Sequence, residues 1–100
     1  MKLTNKQKAK MKSMAQLLDA IVKIGDKGVT QTVISSMNEA LIARELVKFS
    51  VAHSDRKIRK EMMAELAEAT DAILVNIIGK TGLLFKINPD NPIISEELLK

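Results

Sequence analysis

The chain contains no cysteine, tryptophan or tyrosine, and among its 100 residues it has one histidine, two phenylalanines and two prolines. Without cysteine there is no disulfide framework and no thiolate metal site, which fits a reducing compartment. A lone histidine cannot build a two-histidine metal cluster. His53 precedes Ser54 in a predicted loop and reads as a surface or capping residue. No GxSxG, Walker or dinucleotide fingerprint occurs, so neither catalysis, a cofactor nor a small-molecule substrate is expected. Phe49 and Phe85 fall at core-like strand positions, which leaves little for stacking bases on a sheet. No apolar run reaches membrane-spanning length, and the lysine-studded start lacks a signal-peptide core. A cytoplasmic protein without membrane contact is expected.

What the chain does have is positive charge at one end. Sixteen Lys and Arg oppose twelve Asp and Glu, a net charge of +4. Residues 1–18 hold Lys2, Lys6, Lys8, Lys10 and Lys12 with no acid, leaving 11 bases against 12 acids for the rest. That asymmetry suits a polyanion. Like charges at Lys6/Lys10 and Lys8/Lys12, four residues apart, each cost a few tenths of a kcal/mol in an isolated helix.

Periodicity gives the elements. Leu3, Gln7, Met11, Met14 and Leu18 mark a helix over about 5–18 capped by Thr4, with Lys8 and Lys12 on its outer face. The β-branched 20–24 stretch predicts a strand, and Thr30 opens a second helix. Residues 46–51 alternate as a strand. Ser54 is expected to cap a third helix running to Thr70, with Ile58, Met62, Leu66 and Ala69 as its seam. Its first turns hold Arg56, Lys57, Arg59 and Lys60, cations at the positive end of the helix dipole. Residues 72–78 read as a central strand and 83–87 as its hairpin partner across a four-residue turn, Gly79–Gly82. Pro89 and Pro92 end regular structure, and 93–100 is expected to form a loosely docked short helix. The sum is an α/β (α+β) fold: an N-terminal helix and a βαβαββ core forming a small mixed four-stranded sheet packed with helices. One domain is expected, with its core at about 3–87 and a tail at 88–100.

The candidate binding element is Gly25-Asp26-Lys27-Gly28, placed between a strand and the helix begun by Thr30. Glycines let a sugar–phosphate chain approach the backbone, and a helix start offers open N–H groups. A GxxG loop of this kind grips about four nucleotides of backbone in KH domains. The expected ligand is RNA, held through Gly25, Asp26, Lys27, Gly28 and Thr30. Lys6, Lys8, Lys10, Lys12, Arg56, Lys57, Lys80 and Lys86 are candidate electrostatic contacts. A second reading remains open, in which the basic N-terminal helix binds an acidic protein partner.

Five segments also resemble one family in order and spacing. Leu3-Thr4-Asn5-Lys6-Gln7-Lys8 is similar to its LTGKQ opening, and Ile24-Gly25-Asp26-Lys27-Gly28-Val29-Thr30 to IGKxG(L/V)T. Ala43-Arg44-Glu45-Leu46-Val47-Lys48 resembles A-(R/H)-E-L-I-K-V. Glu65-Leu66-Ala67-Glu68-Ala69-Thr70 through Ile78-Gly79-Lys80 resembles ELAEATGAELVQVIGR, and Leu84-Phe85-Lys86 stands at LY(R/K). The family is the CRM domain in its stand-alone, YhbY-like bacterial form. The resemblance implies a fold similar to the C-terminal domain of translation initiation factor 3, and RNA binding through the GxxG loop. It further implies association with ribosomal RNA in precursors of the large ribosomal subunit. Three residues depart from the pattern: Asp26 for lysine, Asn5 for glycine and Phe85 for tyrosine.

Overall fold

Thr4 begins the first helix by a reciprocal cap. Its hydroxyl accepts the Gln7 N–H at 3.1 Å, while Gln7 Oε1 accepts the Thr4 N–H at 2.9 Å. In the computed structural model, which describes residues 2–98, this helix α1 covers Asn5–Ala15. It stops short of residue 18 because the N–H groups of Gln16, Leu17 and Leu18 turn to carbonyls three residues back. The expected stripe holds: Leu3 and Met11 are buried, Gln7, Met14 and Leu18 half-buried. Lys8 is half-buried too, so it is not on the outer face with Lys12.

The strands are β1 (Val22–Ile24), β2 (Leu46–Val51), β3 (Ile73–Ile78) and β4 (Thr81–Phe85), in sheet order β1-β2-β4-β3. β1 runs parallel to β2, and the other two pairings are antiparallel. β1 is shorter than the β-branched stretch because its ladder with β2 spans only Val22↔Phe49 to Ile24↔Val51. Helices α2 (Gln31–Arg44) and α3 (Arg56–Thr70) cover one face, burying Val22, Ile24, Met37, Leu41, Phe49, Met63 and Leu66. α1 and the short α4 (Ser95–Leu98) cover the other, around Met11, Leu46, Val75, Leu83, Phe85 and Leu98. This is the mixed α/β architecture expected from the sequence.

Four expectations are corrected. β3 is an edge strand, not a central one; it is apolar because α1 and α3 pack against it from opposite faces. The β3–β4 turn has two residues, with Gly79 at φ +57, a value suited to glycine. β4 therefore starts at Thr81. Gly82 lies within the strand, where a Cβ would stand 2.5 Å from Phe49 Cζ. Asp55, not Ser54, caps α3: its Oδ1 accepts the N–H of Lys57 at 2.8 Å and of Ile58 at 3.3 Å. A carboxylate thus meets the dipole beneath the cationic first turn. The buried seam of α3 is Met63, Leu66, Ala67 and Thr70, whereas Ala69 is exposed.

The C-terminal segment is fastened rather than loosely docked. Leu98 is buried and Ile94 packs against the α1-side core. Glu45, fully buried at the end of α2, holds the segment with its carboxylate. Oε1 accepts the N–H groups of Ile93, Ile94 and Ser95 at 2.6, 2.7 and 2.9 Å. Oε2 accepts the Asn88 N–H at 2.8 Å and the Ser95 hydroxyl at 2.7 Å. Residues 99 and 100 of the expected helix lie outside the described residues.

Candidate nucleic-acid interface

Strand direction decides which loops meet. β1 and β2 are parallel and end together, the Ala52 N–H donating to the Ile24 carbonyl at 2.9 Å. The β3–β4 turn comes to the same end, where the Val51 N–H donates to the Lys80 carbonyl at 2.8 Å. Three connections are thereby gathered there: the Gly25–Gly28 loop, the 52–55 segment leading into α3, and the Gly79–Lys80 turn.

The glycine loop is a tight turn. The Gly28 N–H donates to the Gly25 carbonyl at 3.0 Å, and the Thr30 N–H to the Gly28 carbonyl at 3.0 Å. Gly28 has φ +75, so glycine is needed there, and Met62 of α3 lies beneath it. Gly25, Asp26 and Lys27 are exposed. Thr30 caps α2 as expected, its hydroxyl accepting the Val33 N–H at 3.3 Å. The Gln31 and Thr32 amides ahead of it have no intrahelical acceptor, as at any helix start. The loop therefore offers glycine-bared backbone, open amides and one lysine, with the Asp26 carboxylate beside them.

Arg56, Lys57 and Lys80 join the loop at this end, all exposed. Lys12 approaches from the α1 face, lining a small cavity of about 120 Å³ with Lys48, Asn76 and Thr81. The other expected contacts lie elsewhere. Lys6 and Lys8 flank Gln7, whose Nε2 donates to the Leu98 carbonyl at 3.3 Å beside the C-terminal segment, and Lys10 stands at the midpoint of α1. Lys86 is at the far end of β4, and its ammonium donates to the Thr70 carbonyl at 2.9 Å, closing the end of α3. Arg59 was not among the expected contacts. Its guanidinium is fixed by donating to the carbonyls of His53 at 2.8 Å and Ser54 at 2.9 Å. His53 Nδ1 accepts the Asp55 N–H at 3.0 Å, a contact within the loop that leads into α3, whose cap is Asp55. Among the described residues no group of three His, Asp or Glu side chains could hold a metal ion. No helix there is long and apolar enough to cross a membrane.

Fold and site together define a one-sheet α/β domain with a glycine loop and a basic rim at one end of its sheet. The chain belongs to the CRS1 / YhbY (CRM) domain family, whose sequence model matches residues 3–86. It is 36% identical over 89 residues to YqeI of Bacillus subtilis, named a probable RNA-binding protein, covering 89% of this chain and 93% of that one. It is 33% identical over 89 residues to PA4753 of Pseudomonas aeruginosa, named likewise, covering 89% and 86%. The solution structure of SAV1595 from Staphylococcus aureus matches with a TM-score of 0.78 and 33% identity, covering 90% of this chain and 94% of that one. The family resemblance read from five short segments is thus confirmed.

Proposed function

We propose that this protein binds RNA and acts by binding rather than catalysis, as an accessory factor in assembly of the large ribosomal subunit. The observation that carries the reading is the convergence of the Gly25–Gly28 loop, the start of α2 and the bases Lys27, Arg56, Lys57 and Lys80 at one end of the sheet. Relatives named for RNA binding support the ligand. Loop amides, a helix start and mobile cations all recognise phosphate, and none of them reads sequence. Binding of this kind depends strongly on salt, and selectivity for one RNA must come from shape or from additional contacts. Lys12 can extend the surface on the α1 side, whereas Lys6, Lys8 and Lys86 stand apart from it. The proposed site of action is the cytoplasm, where precursor subunits are found in bacteria.

Crosslinking the protein to RNA in cells and sequencing the recovered fragments tests the assignment. Large-subunit ribosomal RNA should be enriched over its share of total RNA; recovery in simple proportion to abundance would overturn the ribosomal assignment. Failure of the purified protein to bind any structured RNA at low salt would overturn RNA binding itself.

A further inference from the structure

The edge strand β3 borders a groove that the glycine loop does not reach. Its volume is about 620 Å³; Arg56, Arg59 and Lys60 form the α3 wall, residues 74–77 the floor, and Gly79 one end. Among the described residues no acidic side chain lines it. We propose that this groove holds a short single-stranded stretch of RNA, its base edges on the open edge of β3 and its phosphates on Arg56 and Lys60. The proposal rests on the RNA-binding reading above and names the form of RNA that a second subsite takes.

Three features point to unpaired bases rather than to a duplex. An edge strand leaves alternate N–H and C=O groups without partners, and these match the donors and acceptors on a base edge. In duplex RNA those edges are occupied by pairing or lie in a deep, narrow groove. At about 3.3 Å per residue, the four-residue floor is roughly 10 Å long, enough for a few nucleotides but not for a helical face. The bulge supplies the second feature. Val75 and Asn76 both stand opposite Leu83, and Asn76 borders both this groove and the α1-side cavity. An amide side chain carries a donor and an acceptor, as base recognition requires. Bulges commonly re-aim a side chain in this way.

Arg59 supplies the third. The molecule has no Tyr or Trp on which a base could stack. Guanidinium planes serve the same purpose, and that of Arg59 is held by its two carbonyl bonds. Arg56 and Lys60 are exposed on the same wall and free to meet phosphate oxygens. The loop would thus grip backbone while the groove reads a neighbouring unpaired segment.

The test uses the full chain with a single-stranded RNA carrying 4-thiouridine. After photocrosslinking and trypsin digestion, mass spectrometry locates the adduct. Residues 61–80 contain no internal Lys or Arg, so β3 is released in one peptide, separate from the 28–44 peptide that follows Lys27 in the glycine loop. Adducts that fragmentation places on residues 74–77 of this peptide are expected, apart from Gly79 and Lys80, which belong to the rim beside the glycine loop. A Lys60→Glu variant should bind single-stranded RNA about fivefold more weakly while losing less than about twofold for a fully paired hairpin. Adducts confined to residues 25–30 or to Gly79 and Lys80, or equal losses for both RNAs, would overturn the groove and leave the RNA-binding reading standing. Absence of binding to either RNA at low salt would overturn both.

Discussion

Glu45 does several jobs at one position. Its backbone has φ 62 and ψ −40, unusual for a side chain with a Cβ, and conformations of this kind cost on the order of 1–3 kcal/mol. Burial by itself would raise its carboxyl. The hydrogen bonds from Asn88, from the amide and hydroxyl of Ser95 and from Ile93 outweigh that, holding it at about 2 against an ordinary 4.5. A carboxylate so depressed contributes about 3 kcal/mol that is fully present above pH 4.5 and lost as pH falls toward 2. Glu45→Gln keeps the shape but points an NH2 group at donors. Urea melts at neutral pH should show it destabilised by about 2–4 kcal/mol, and its stability should lose the acid dependence of the parent across that window. Gly82 is constrained by space. An alanine there meets Phe49 Cζ at 2.5 Å and Met63 Sδ at 3.2 Å, so thermal denaturation should report a loss of about 1–3 kcal/mol for Gly82→Ala. Asp26 bears on binding instead. It is an exposed acid in a loop offered to phosphate, and salt reduces its repulsion without removing it. Asp26→Lys should tighten RNA binding about three- to tenfold in low-salt titrations; an unchanged affinity would move the main phosphate site away from this loop.

At the scale of elements, local chemistry was legible and neighbourhood was not. Thr30 announced α2 because a hydroxyl before an apolar 3.6-residue pattern is a self-contained signal, and the 46–51 alternation marked β2 for the same reason. The glycine loop could be placed before α2 from residues alone. β3 was misplaced because a strand covered by a helix on each face has the composition of a central strand even at an edge. Its place beside α3, and hence the groove, depends on pairing order that no local pattern encodes. The latch at Glu45 was hidden similarly: in the run Ala43-Arg44-Glu45-Leu46 it looks like a surface residue, and its donors arrive 43 to 50 residues later. The α1 lysines separate the two readings of that helix. Removing residues 1–12 would delete buried Leu3 and Met11, so point changes are the cleaner probe. Lys6→Glu should weaken RNA binding less than about twofold, as Lys6 lies in the first turn of α1 beside the C-terminal segment. A larger loss measured by filter binding would extend the interface along α1.

Across the whole molecule, the proposed recognition site and the fastening of the C-terminal segment occupy opposite ends of one sheet. The glycine loop, the start of α3 and the β3–β4 turn form one end, while Glu45, Lys86 and the C-terminal segment close the other. Substitutions in the loop can therefore alter affinity with little effect on the latch, and effects at the two ends should add nearly independently. The latch also sets an order of events in folding. Its bonds span 43 to 50 residues, and long loops are costly to close before the core has formed. The carboxylate is therefore expected to give up its water last on the way in, and to regain it first on the way out. In stopped-flow experiments, acidifying from pH 5 to about 2.5 should speed unfolding while leaving refolding nearly unchanged; slowed refolding would place the latch in the transition state. On this reading acid should shorten the lifetime of the native chain without hindering its formation.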